Sequence, residues 1–176
     1  MFAALLAVGL TVVAACSNDA PGWRIYRQPP GPLHLSYRYP ASWQVAGKTF
    51  VSTMGWVGQA ELITGTDGSL SDLMAADCYR RGTVLGADGI FVTWGANLGS
   101  PVPIRLPQHR GQALLVNGHP ARWSVQASTV CFKGRTIEGM IQEGPRTFLF
   151  MGADVGSAVT DGQINTLREI FLSARW

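Results

Sequence analysis

Proton transfer and nucleophilic attack need a nucleophile set beside a base, and this chain offers few of either. Its histidines are His34, His109 and His119. No two of them have the i, i+4 spacing that puts a pair of imidazoles on one helix face for zinc. His119 follows Asn117-Gly118 directly and is expected to be exposed at a turn, His34 begins a strand, and His109 sits in a loop between Gln108 and Arg110. Among the acidic residues, Glu138 and Glu143 are the nearest approach to a glycosidase-like pair. Five residues apart along a strand, they fall on opposite faces and do not converge. The sequence contains no G-x-S-x-G elbow, G-x-G-x-x-G turn, Walker loop or D-x-D-x-D-G loop, and Thr66-Asp67-Gly68-Ser69 reads as a simple turn. These patterns point away from an enzyme and imply no metal and no cofactor.

Cysteine is the remaining reactive side chain, at Cys16, Cys78 and Cys131. From Phe2 to Ala15 every residue is apolar or small, apart from Thr11, and the run ends at Cys16. It is shorter than the roughly 20 residues a membrane-spanning helix needs and fits the apolar region of a secretory signal. Val13-Ala14-Ala15-Cys16, followed by Ser17, Asn18 and Asp19, resembles the lipobox of bacterial lipoproteins. That resemblance implies cleavage before Cys16, a thioether-linked lipid on its sulfur, and a protein held on the outer face of the cell membrane. A signal normally opens with Lys or Arg; here only the amino terminus is positive, so a start further upstream is expected. With Cys16 taken by lipid, Cys78 and Cys131 remain as a pair, and outside the cytoplasm a pair is normally bridged. Closing a loop of that length contributes about 4 kcal/mol in the chain-entropy model. With no CxxC and no histidine at ligand spacing, the same two residues make a poor zinc site.

The formal charge is +3, carried by twelve arginines and two lysines spread in ones and twos. Nucleic-acid binding would call for a clustered basic stripe, so no nucleic-acid partner is expected. Arg24, Arg27 and Arg38 lie near the anchored end, within reach of anionic headgroups, although isolated arginines are ordinarily just solvated.

Residues 1–15 thus read as signal peptide, 16–32 as a lipidated tether rich in proline (Pro21, Pro29, Pro30, Pro32), and 33–176 as a single domain. Leu35, Tyr37 and Tyr39 alternate with Ser36 and Arg38 up to Pro40, which predicts a strand with one buried face. Phe50 to Met54 is a short candidate strand. Ser69 to Arg81 predicts an internal helix with Ser71 as N-cap, and Asp88 to Trp94 a central strand. Asn117-Gly118, between Ala113–Val116 and the alternating Trp123, Val125 and Ala127, predicts a hairpin with a type I′ turn. Thr136–Glu143 and Arg146–Met151 predict another, joined at Gly144-Pro145. Thr160 and Gln163 have capping-box spacing ahead of a stripe of Ile164, Leu167, Ile170 and Phe171. Trp43, Trp123 and Phe171 are expected in the core. The fold class is α+β, an antiparallel sheet with the C-terminal helix and the internal helix packed on one face.

The stretch Leu35-Ser-Tyr-Arg-Tyr-Pro-Ala-Ser-Trp43 is similar to the opening strand of PsbP/Mog1-like domains, and Ile164 to Trp176 resembles the closing helix of that family. The middle of the chain, with Cys78, Asp88–Trp94 and Cys131, looks like a group of actinobacterial lipoproteins of unassigned function. Neither likeness carries a catalytic residue over to this chain.

Gly95 to Gly111 is a proline-stiffened stretch with apolar Val102 and Ile104 beside Arg105, His109 and Arg110, which makes it a candidate binding loop for an envelope protein, glycan or lipid. The alternative is a cover laid over a sheet edge. The expected function is therefore a lipid-anchored envelope lipoprotein with a non-catalytic binding or structural domain. A carrier of a small apolar ligand or lipid is the first alternative, and an envelope hydrolase the last. In the exported protein, Cys78 and Cys131 should resist alkylation until reductant is added; quantitative labelling of both without reductant would contradict the bridge.

Overall fold

The computed structural model describes residues 22–28, 34–46, 50–51, 56–64, 85–97, 106, 111–128 and 133–176. Along them run strands β1 (Trp23–Arg27), β2 (Ser36–Pro40), β3 (Gln44–Ala46), β4 (Phe50–Val51), β5 (Trp56–Thr64), β6 (Ile90–Asn97), β7 (Gln112–Val116), β8 (His119–Ser128), β9 (Gly134–Gln142) and β10 (Phe148–Gly156), followed by helix α1 (Asp161–Leu172). Strands β1 and β2 form a two-stranded sheet. The others form an eight-stranded sheet in the order β3-β5-β6-β10-β9-β8-β7, with β4 also beside β5. All the pairings are antiparallel. The coarse expectation, an antiparallel sheet with a C-terminal helix, is what the structure has. The internal helix over Ser69–Arg81 lies outside the described residues.

Alternation sets the layers. Ile137, Gly139 and Ile141 on β9 stand beside Leu149, Met151 and Ala153 on β10, and these beside Val92, Trp94 and Ala96 on β6, all on one buried face. Helix α1 lays its stripe of Ile164, Leu167, Ile170 and Phe171 against that face. Its start is fixed as the sequence predicted: Thr160 Oγ1 accepts the Gln163 N–H, and Gln163 Oε1 accepts the Thr160 N–H. Arg135 Nη1 pairs with Asp161 in the first turn at 2.8 Å, tying the helix start to β9. With Asp161 almost fully exposed, this pair adds little stability.

The Asn117-Gly118 hairpin is present, both residues having the positive φ (51° and 83°) that a type I′ turn demands. Pro120 faces Leu115 across β7, and β8 begins to pair with β9 only at Ala121, so no ladder bond is asked of the missing N–H. Strand β6 reaches Asn97, further than expected, so the stretch read as a loop from Gly95 starts inside the sheet. The cause is cross-strand: the Phe150 ring of β10 lies over Gly95, where a Cβ would meet it at 2.1 Å. Trp123 and Phe171 are core residues as expected, whereas Trp43 is only half-buried at the core's margin.

The stretch read as an extended tether contains a paired strand. β1 runs against β2 from Trp23↔Pro40 to Arg27↔Ser36. A two-stranded ribbon is marginal by itself, and this one is held through β2. Ser36 and Arg175 exchange main-chain hydrogen bonds at 2.8 Å each. The Ser173 hydroxyl accepts the Arg38 N–H at 2.8 Å and donates to Ile170 O at 2.7 Å.

A Cβ on Gly139 would lie 2.5 Å from the Phe171 ring, which is hemmed in by Trp94 and Trp123. Phe171→Ala should therefore cost about 3–5 kcal/mol and Gly139→Ala about 1–3 kcal/mol through overpacking. The double variant should cost less than their sum by at least about 0.5 kcal/mol, because the new methyl fills part of the vacated space. Strict additivity in denaturant melts would contradict this packing.

Candidate functional site

Register places the residues of the β1–β2 ribbon on two faces. Directly opposed residues share a face, so Trp23, Ile25, Arg27, Ser36 and Arg38 point one way and Arg24, Tyr26, Tyr37 and Tyr39 the other. The tyrosine face turns inward, where Tyr37 stacks on Trp94 with centroids 5.3 Å apart. The opposite face, together with the last turn of α1, encloses an open cleft of about 740 Å³.

One wall of the cleft is Trp23, Ile25 and Arg27; the other is Glu169, Leu172, Ser173 and Arg175. Arg38 lies over the Trp23 ring, its guanidinium carbon 5.5 Å from the centroid. This cation–π contact holds the long side chain in place. Arg175 donates to Ala174 O at 2.7 Å and Leu172 O at 3.4 Å, offsetting the partial negative charge at the helix end. Arg27 is exposed and makes no ion pair among the described residues. The cleft thus presents three guanidiniums against one carboxylate, over apolar Ile25 and Leu172. Chemically it can receive an anionic group with an apolar body attached.

The face of the main sheet opposite α1 carries a second groove of about 450 Å³, floored by Phe91, Met140, Phe148 and Phe150 with Glu138 and Asp154 at its sides. Glu138 is exposed on this face and Glu143 is exposed beyond the end of β9. His34 is exposed with φ 48°. His119 departs from the expected free turn position: it is half-buried, its ring 5.0 Å from that of Trp176. Among the described residues no three His, Cys, Asp or Glu side chains gather as metal ligands, and no helix is long and apolar enough to cross a membrane. Cys16, Cys78 and Cys131, and the loop residues Arg105, His109 and Arg110, lie outside the described residues.

Sequence reasoning missed the cleft because it left Trp23–Arg27 unpaired. A signal was present in the alternation of Trp23, Ile25 and Arg27 with Arg24 and Tyr26, matched to the Tyr-Arg-Tyr of β2, but prolines on both sides suggested an unstructured connection. The chain matches no protein-family model, and no curated protein matches it significantly.

Burial raises the Tyr37 phenol well above the ordinary tyrosine value, and the neighbouring Tyr26 and Tyr39 push the same way. Tyr26 is raised too, by burial. Tyr37 Oη has no hydrogen-bond partner among the described residues. The folded chain holds this proton longer than the unfolded chain, so its effect on stability is absent below about pH 10. Stability falls as pH climbs from there toward the folded pKa. Tyr37→Phe, which also removes an unpaired buried hydroxyl, should leave neutral-pH stability unchanged or raise it by up to about 1 kcal/mol. It should also flatten the alkaline decline. A loss beyond about 1 kcal/mol at neutral pH would show that the hydroxyl has a partner.

Proposed function

We propose that the chain is an exported lipoprotein, lipidated on Cys16 and held on the outer face of the cell membrane, whose domain binds and does not catalyse. The sequence Val13-Ala14-Ala15-Cys16 after an apolar run supports the anchor. The observation that carries the binding reading is the basic, apolar-floored cleft, one wall of which opens with Trp23, seven residues after Cys16. Fully extended, that length reaches about 25 Å, so the anchor keeps the cleft beside the bilayer. Likeness to actinobacterial lipoproteins and to PsbP/Mog1-like domains belongs to the same proposal; the second rests on two elements, the strand ending at Pro40 and the terminal helix.

A carrier of a small apolar ligand is favoured by one observation, the groove over Phe91, Met140, Phe148 and Phe150, whose volume falls in the range of ligand sites. The loop around Arg105, His109 and Arg110 remains a candidate contact for an envelope protein, glycan or lipid.

Cells fed radiolabelled palmitate should label the wild-type chain and leave Cys16→Ser unlabelled; label surviving that change would overturn the anchor. The Cys16→Ser protein should be purified free of bound apolar molecules. A lipid or fatty acid co-purifying in stoichiometric amount would favour the carrier instead.

A further inference from the structure

The geometry points to the cleft between the β1–β2 ribbon and the end of α1 as a membrane-docking site that takes the headgroup of an anionic phospholipid from the bilayer carrying the anchor. This rests on the lipoprotein reading above and deepens it by naming what the domain binds.

Two independent features lead there. The first is charge joined to apolar surface. Arg27, Arg38 and Arg175 surround the cleft, and a guanidinium presents paired donors that match a phosphate. Between them Ile25 is exposed, one of three large apolar side chains so placed among the described residues. Trp23 stands at the rim, half-buried. Tryptophan, an aliphatic side chain and arginine together suit the membrane interface, where the ring and aliphatic carbons meet the acyl boundary and the cations meet phosphate. The groups opposing an anion are Glu169 and the carbonyl end of α1, and Arg175 already donates to the latter. Phosphates therefore settle against the arginines of the ribbon wall, Arg27 and Arg38, rather than against the helix wall that carries Glu169.

The second feature is where the chain enters the domain. Trp23 opens β1 and is itself a wall of the cleft. The anchor and the docking surface are thus joined by a few residues. A short tether keeps the local concentration of headgroups high, in the millimolar range for a flexible linker, so a weak site is enough to lay the domain on the bilayer.

The Cys16-lipidated protein, with an environment-sensitive fluorophore on Ile25→Cys, can be purified from membranes and returned to vesicles of phosphatidylcholine alone or mixed with phosphatidylglycerol. Brominated acyl chains then serve as depth-dependent quenchers. Quenching is expected only in vesicles containing phosphatidylglycerol. Arg27→Glu changes the cleft by two units of charge and should lower the docking constant about 25-fold, at about five-fold per unit near an anionic surface. Arg24→Glu makes the same change in net charge on the opposite face of β1 and should lower it much less. Equal quenching in both lipids, no quenching in either, or equal loss for the two variants would overturn the docking site. The anchor is judged separately: palmitate incorporation with an unquenched probe leaves the lipoprotein reading standing and removes the docking surface, whereas absent palmitate removes the anchor itself.

Discussion

A stack of aromatic rings holds the layers of this domain together. Tyr26 lies 5.0 Å from Tyr37, Tyr37 5.3 Å from Trp94, Trp94 6.2 Å from Phe171, and Phe171 5.3 Å from Trp123. Five rings from β1, β2, β6, β8 and α1 thus make one continuous path through the core. Each contact adds about 0.5–1.5 kcal/mol beyond its burial. Their larger effect is geometric, because Gly139 leaves room in β9 for the Phe171 ring, and that ring sets the height of the helix above the sheet. The ribbon owes its place to the same path, since Tyr37 is the ring by which it reaches Trp94.

The stack has a polar cost. Tyr37 Oη and Trp94 Nε1 are both buried without hydrogen-bond partners among the described residues, and each such group costs about 1–3 kcal/mol. The ring areas outweigh that cost, a Tyr or Trp side chain burying on the order of 150–250 Å². The ribbon's polar attachment comes from elsewhere. The reciprocal Ser36–Arg175 bonds and the Ser173 hydroxyl supply the polar fastening of β2 to the end of α1.

Local chemistry was legible in the sequence and long-range pairing was not. Asn117-Gly118 announces its turn because few other residues accept positive φ at both positions, and Thr160 with Gln163 announces a helix start because the spacing satisfies two orphan N–H groups. The apolar run of β6 was readable as a strand buried on both faces, and Ile90, Phe91, Val92 and Trp94 are indeed all buried. Its neighbours were not readable. β6 pairs with β10 rather than with β7, leaving β10, β9 and β8 between consecutive strands β6 and β7, and no short-range pattern encodes a crossover of that kind. Gly95 reads as the start of a loop, and Gly139 as an ordinary strand position, for the same reason. Gly95 and Gly139 make sense only once Phe150 and Phe171 are laid over them from elsewhere in the chain. The cleft was hidden by a similar non-local dependence, since its two walls come from opposite ends of the chain.

That union of the ends has a mechanical consequence. β1 is an edge strand, and arginines on both of its faces, with prolines on either side in sequence, discourage a further strand from adding to it. Among the described elements, a pull on the chain's amino-terminal side reaches β1 first, along its axis, and the five register pairs with β2 share the load in shear. From β2 it passes to Arg175 and Ser173, at the carboxyl end of the helix that covers the core. The wall of the cleft nearest the amino terminus is therefore also the first of the described elements to bear force.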